Sequence, residues 1–252
     1  MSRIRWSDAA AVALTIAIIA GLVFVSRAQH TPTSSATATT VAERPQRPPD
    51  KIPSILFIGD SYTAGKGVPE MSYGCLAALR TGFLCHLATG PGTGYISGGP
   101  ANRFVVNEYI GPSTSFDERL PGLAAKYNPN IVVLDGGRND IFAPTNAIFT
   151  AMSATITEVR RTWPQAQIVF IRPRFLSRPN DDLGFDDTFM AKLEAIPAAQ
   201  RMIVIDPTQS FTSSATSALL GEDGIHPNEK GEQALSAALV DSLRQQGIGS
   251  QS

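Results

Sequence analysis

"SILFIGDSYTAGKG", residues Ser54–Gly67, is an apolar run that breaks abruptly into Gly-Asp-Ser and then into more glycine. Ile, Leu and Phe in close series read as a strand buried on both faces, and the glycines after it as a tight turn. A serine at the end of a buried strand has three readings: a nucleophile, a hydroxyl in a phosphate loop, or the cap of the next helix. Which one holds depends on what the rest of the chain brings to it.

Four further apolar runs recur downstream, at Phe83–Leu87, Ile131–Leu134, Ile168–Ile171 and Met202–Ile205. Helix-like segments lie between and after them, at Met71–Thr81, Ser115–Tyr127, Thr145–Thr162, Asp186–Ile196 and Glu229–Gln245. This alternation predicts a parallel, doubly wound sheet, with right-handed crossovers that put helices on both faces. Such sheets bind ligands beyond the carboxyl ends of their strands. There the sequence places Gly59-Asp60-Ser61, Ala88–Tyr95 ("ATGPGTGY"), Asp135–Asp140 ("DGGRND"), Arg172–Phe175 ("RPRF") and Asp206-Pro207. That polar crowding marks one edge of the sheet as the working edge.

The 252 residues, 43% of them hydrophobic, suffice for one sizeable core with appendages. A net charge of -1 and 8% aromatics, with no basic-aromatic interleaving, give no case for nucleic acid. Ala9–Val25 carries no charge, with Arg3 and Arg5 before it and Arg27 after it. It reaches the lower end of the roughly 17 to 25 apolar residues that span a bilayer. The reading is a signal anchor over 1–27 with its N-terminus in the cytoplasm, or a signal peptide cut after Ala28. Either one puts the remainder outside the cytoplasm, membrane-anchored or secreted. Residues 28–51, rich in Thr, Ser, Ala and Pro, are expected to form a disordered linker. The folded domain is expected over 52–247, with a short tail at 248–252. Cys75 and Cys85 both fall in that domain, where an exported pair normally oxidises. Two buried thiols are an alternative, and so is a metal cluster with His86, which lacks a fourth ligand nearby.

A P-loop needs Gly, four residues, then Gly-Lys-Ser/Thr. Here five residues separate Gly59 from Gly65-Lys66, and Gly67 stands where the hydroxyl belongs. Gly90, Gly92 and Gly94 likewise lack the dinucleotide-binding spacing. A cap at Ser61 or Asp60 is the plain reading, but it leaves the other loops unexplained. A nucleophile needs a base, a group that orients the base, and oxyanion donors. Of three histidines, His30 lies in the linker, His86 in a strand, and His226 in "EDGIHPNEKG" with Asp223 three residues before it. On one turn, that carboxylate can hold one ring nitrogen while the other faces the serine.

With Gly59-Asp60-Ser61, the Gly92 loop, Gly137-Arg138-Asn139-Asp140 and Asp223-Gly-Ile-His226 in this order, the domain resembles the SGNH/GDSL hydrolase superfamily across about Ile52–Gln246. The resemblance implies a flavodoxin-like three-layer α/β/α sandwich on a five-stranded parallel sheet, and acyl-ester chemistry. By position it implies that Ser61 is the nucleophile and an amide donor, His226 the general base and Asp223 its partner. Asn139 would be the side-chain oxyanion donor and Gly92 the backbone donor, with Gly90 and Gly94 as alternatives. Neither a metal nor a cofactor is needed. Two departures stand out. Tyr62 replaces the leucine of the family pattern and is expected to alter only packing, and the second block is glycine-rich rather than Ser-Gly-x-Thr. No G-x-S-x-G elbow surrounds Ser61, which disfavours an α/β-hydrolase.

The expected activity is that of an exported, monomeric serine esterase cutting short O-acyl esters of small molecules or glycans. An acyltransferase with the same triad and a noncatalytic glycan-binding module are the alternatives. Arg103, Arg138, Arg172 and Arg174 stand near the working edge, either to bind an anionic or polyhydroxylated carrier or to pair with Asp140, Asp181, Asp182 or Asp186. Arg172–Phe185, with two prolines, is a candidate lid.

Overall fold

A computed structural model of the chain describes residues 52–65, 67–212 and 216–249. The N-terminal apolar segment, the whole linker and the last three residues of the tail lie outside the described residues. Among the described residues no helix is long and apolar enough to cross a membrane.

In chain order the elements are β1 (Ser54–Gly59), the one-turn α1 (Ser61–Ala64), α2 (Tyr73–Arg80), β2 (Leu84–Thr89), β3 (Val105–Asn107), β4 (Gly111–Pro112), α3 (Phe116–Lys126), β5 (Ile131–Asp135), α4 (Thr145–Thr162), β6 (Gln167–Ile171), α5 (Asp187–Glu194), β7 (Ile203–Ile205) and α6 (Glu229–Gln245). Five strands form one sheet in the order β2-β1-β5-β6-β7, every neighbouring pair parallel. Counting these five alone, the order is 2-1-3-4-5, that of the flavodoxin-like doubly wound sheet. The order reverses between β1 and β5, where adjacent crossovers leave on opposite faces and open a crevice.

The strands are apolar on both sides because both sides are covered. In β1, Ile55 and Phe57 face one layer and Leu56 and Ile58 the other. The first layer packs against α2 and α6 through Tyr73, Ala77, Leu235, Leu239 and Leu243. The second packs against α3, α4 and α5 through Phe116, Leu120, Met152, Ile156, Phe189 and Leu193. Helix starts follow the capping residues of the sequence: Ser72 accepts from Cys75 N–H, Asp186 from Phe189 N–H and Asn228 from Gly231 N–H. Ser115 and Glu118 form a reciprocal capping box at α3.

A disulfide joins Cys75 on α2 to Cys85 on the edge strand β2, so the paired-thiol reading holds. His86 is not grouped with ligands but stacked on Tyr127, with ring centroids 4.3 Å apart. One element has no counterpart in the sequence reading, the antiparallel pair β3–β4. Its strands are three and two residues long, too short for alternation to register.

Candidate active site

Ser61 is the first residue of α1, directly after β1. The plain reading of this turn holds for Asp60, which caps α1: its Oδ1 accepts from Tyr62 N–H at 2.8 Å. Capping by Asp60 leaves the Ser61 hydroxyl free for other work. At the far end of the chain, Asp223 opens a turn in which its Oδ1 accepts from the backbone N–H of Ile225 and of His226, each at 3.0 Å. Its Oδ2 lies 2.9 Å from Nδ1 of His226, and Nε2 of the same ring lies 2.9 Å from Ser61 Oγ. With the proton on Nδ1, the carboxylate accepts it and Nε2 is left to accept from the serine. The Ile225 amide, followed by the His226 ring and amide, holds the Asp223 carboxyl well below the usual carboxylate range.

The glycine loop and the third block meet each other beside this chain. Asn139 Nδ2 donates to Thr93 O at 3.0 Å, and a primary amide has a second hydrogen to give. Asp140 is fully buried and accepts from the N–H groups of Tyr95, Ile96 and Ser97 at 2.7–2.9 Å, which folds the loop over the end of β5. A Cβ on Gly94 would overlap that carboxylate. The three loop glycines are not equivalent. Gly90 N–H donates to Gly59 O and Gly94 N–H to Ser97 O, whereas Gly92 N–H has no partner among the described residues. Gly92 adopts φ +69°, with its carbonyl held by Ser97 Oγ at 2.7 Å and the Phe104 ring against its α-carbon.

Beneath Ser61 lies a buried charge cluster joining β1 to β5. Arg138 Nη1 is 3.2 Å from Asp60 Oδ2 and Nη2 is 2.8 Å from Asp135 Oδ1. Thr63 Oγ1 donates to Asp135 at 2.6 Å, and the Tyr73 hydroxyl donates to the same carboxylate oxygen. Burial raises the Asp60 carboxyl to about 6, against the lowering pull of Arg138. Arg138 is therefore a structural ion rather than a substrate contact. The other three arginines of the working edge are engaged too: Arg103 with Glu118, Arg172 with Asp187 and Arg174 with Asp206. Pairing holds, but with partners other than the four aspartates expected.

Two further residues went unrecognised in the sequence. Arg119, on α3, sends Nη1 to the carbonyls of Gly59 and Ala88 at 2.9 Å each, and Nη2 to Thr93 Oγ1 and Thr114 O. It ties the end of β1 to the glycine loop, and no motif surrounds it. Tyr62 does more than pack. Its hydroxyl donates to Ile225 O at 3.1 Å and accepts from Leu176 N–H at 2.7 Å. Burial pushes that hydroxyl up to about 12, so it stays protonated.

Residues 57–234 match the family model described as GDSL-like lipase/acylhydrolase. The chain belongs to that family. It is a carboxylic ester hydrolase of the GDSL/SGNH type, and its fold recurs in solved acylhydrolases. The psychrotrophic esterase EstA from Pseudoalteromonas sp. superposes with a TM-score of 0.56 at 18% identity, over 77% of this chain and 97% of that one. Est24, a carbohydrate acetylesterase from Sinorhizobium meliloti, gives 0.59 at 16%, over 77% and 99%. A carbohydrate esterase family 2 enzyme with a carbohydrate-binding domain, from Corynascus thermopiles (Myceliophthora fergusii), gives 0.54 at 20%, over 81% and 69%. No curated protein sequence matches this acylhydrolase.

Proposed function

We propose that this acylhydrolase is an exported serine esterase that removes short acyl groups from the hydroxyls of small molecules or cell-envelope glycans. The reading rests on one observation, the hydrogen-bonded series Asp223–His226–Ser61 with both links at 2.9 Å. In it, His226 Nε2 takes the Ser61 proton as Oγ bonds to the ester carbonyl carbon. The oxyanion is met by the N–H groups of Ser61 and Gly92 and by the second amide hydrogen of Asn139. The carbon–oxygen bond to the leaving alcohol then breaks, and His226 returns the proton to that alcohol. Water, deprotonated by the same ring, attacks the acyl-enzyme, freeing the carboxylic acid and Ser61.

Short acyl groups on glycans are supported by the likeness in fold to a carbohydrate acetylesterase and a carbohydrate esterase and by the openness of the base, since the His226 and Asp223 side chains are 30% and 38% exposed. Export is supported by the Cys75–Cys85 disulfide and by the uncharged Ala9–Val25 run between arginines. Hydrolysis of p-nitrophenyl acetate, butyrate and octanoate by the purified full-length chain, beside Ser61→Ala, tests the assignment. Turnover should fall to background in Ser61→Ala and decline with chain length in the wild type. Retained turnover in the variant would remove Ser61 from the reaction, and preference for octanoate would overturn the short-acyl reading. An added glycan acceptor that diverts the acyl group from water would make the enzyme a transferase.

A further inference from the structure

The turn that presents His226 is exposed from Glu222 to Ile225, so its position depends on what holds it to the body of the protein. One such attachment falls on Ile225, the residue before His226, where the carbonyl accepts from Tyr62 Oη at 3.1 Å. The Tyr62 hydroxyl oxygen in turn accepts from the N–H of Leu176, in the segment after β6, at 2.7 Å. Tyr62 itself is 2% exposed and follows Ser61 directly. Its ring is fixed from three sides: the Arg138 guanidinium stands 4.5 Å over its centroid, and the rings of Phe175 and His226 each lie 5.9 Å away. A leucine at this position would fill the space but make neither hydrogen bond.

We infer that Tyr62 is a positioning residue for the proposed catalytic series, its hydroxyl bridging the Leu176 segment to Ile225 and so setting His226 against Ser61. The inference rests on the proposed roles of Ser61 and His226. Tyr62 touches no reacting atom; it acts through the histidine. The bridge also makes the Arg172–Phe185 segment, through Leu176, a direct neighbour of the base-bearing turn.

Tyr62→Phe in the full chain deletes the hydroxyl and keeps the ring. Loss of one such hydrogen bond predicts kcat lower by about 3- to 10-fold, with KM unchanged because no substrate contact is removed. The Leu176 N–H is orphaned by the same change, so the melting temperature should fall as well, and that fall alone says nothing about catalysis. The deciding measurement is a cycle with His226→Ala. If Tyr62 acts through the histidine, Tyr62→Phe should alter the residual rate of Ser61 phosphonylation in His226→Ala by less than about twofold. Tyr62→Leu, which carries the family's residue, is the second variant and should show the same kcat loss. A folded Tyr62→Phe with wild-type kcat would overturn the inference, as would equal losses in the presence and absence of His226. Full activity in Ser61→Ala would instead sink the site assignment itself, whatever Tyr62 does.

Discussion

Asn139, a proposed oxyanion donor, and Gly94, a packing position, stand at the same glycine loop. Asn139 uses one amide hydrogen to hold Thr93 O and has the other to offer an oxyanion. Asn139→Ala is expected to leave a folded enzyme slowed by about 10²–10³-fold in kcat, readable in steady-state kinetics, whereas unchanged kcat would dismiss it as a donor. Gly94→Ala should act differently, since a methyl there collides with the Asp140 carboxylate that gathers three loop amides. Lowered thermal stability together with lost activity is expected, and a wild-type melting curve would refute the clash. Short ordered motifs single out Ser61, Asp223, His226 and Asn139 in the sequence, and the structure brings the first three into one hydrogen-bonded series. The sequence could not announce Arg119 or the Tyr62 bridge, because both act across long separations: Arg119 reaches Gly59, and Tyr62 reaches Ile225. Choosing among Gly90, Gly92 and Gly94 required knowing which amides were already donating.

Elements were legible where they were long, as helices, or covered on both faces, as strands. α4 spans Thr145–Thr162 and α6 spans Glu229–Gln245, the residues that periodicity marks. β7 keeps only Ile203–Ile205 of the apolar run from Met202, and the β3–β4 pair carried no signal. The disulfide joins two neighbouring elements, α2 and the edge strand β2, 10 residues apart in sequence. Closing a short loop of this kind stabilises a fold by about 2–4 kcal/mol. Cys75→Ser with Cys85→Ser should therefore lower the denaturant midpoint, and reductant should lower it in the wild type alone. Coincident midpoints for the two proteins under oxidising conditions would rule out a stabilising role.

Across the whole molecule, the cluster of Asp60, Asp135, Arg138, Thr63 and Tyr73 binds β1, β5, α1 and α2 under Ser61. Asp60 is raised from 3.8 to about 6 in the folded protein, with burial the first cause. The folded state therefore holds this proton more tightly than the unfolded chain. Its contribution to stability is complete below about pH 4 and is lost as the pH rises through about 6. Asp60→Asn, which still offers an oxygen to Tyr62 N–H, lacks that titration. Relative to wild type, its melting temperature should improve between pH 4 and pH 7, and a constant difference would place the titration elsewhere.

Ser61, the proposed nucleophile, follows the first strand of the sheet, while Asp223 and His226, the proposed carboxylate and base, follow the last. A chain emerging from its N-terminus therefore has its serine early and its histidine late. When Ile205 has been made, all five strands of the sheet have been synthesised, but Asp223 and His226, on which the proposed mechanism depends, come afterwards. α6, which carries Leu235, Leu239 and Leu243 onto one face of the sheet, comes later still. On the proposed roles, the enzyme would stay silent until His226 is made and would become competent only as its final helix closes the core. Under the proposed mechanism, any premature stop upstream of His226 would yield a protein with a serine and nothing to activate it.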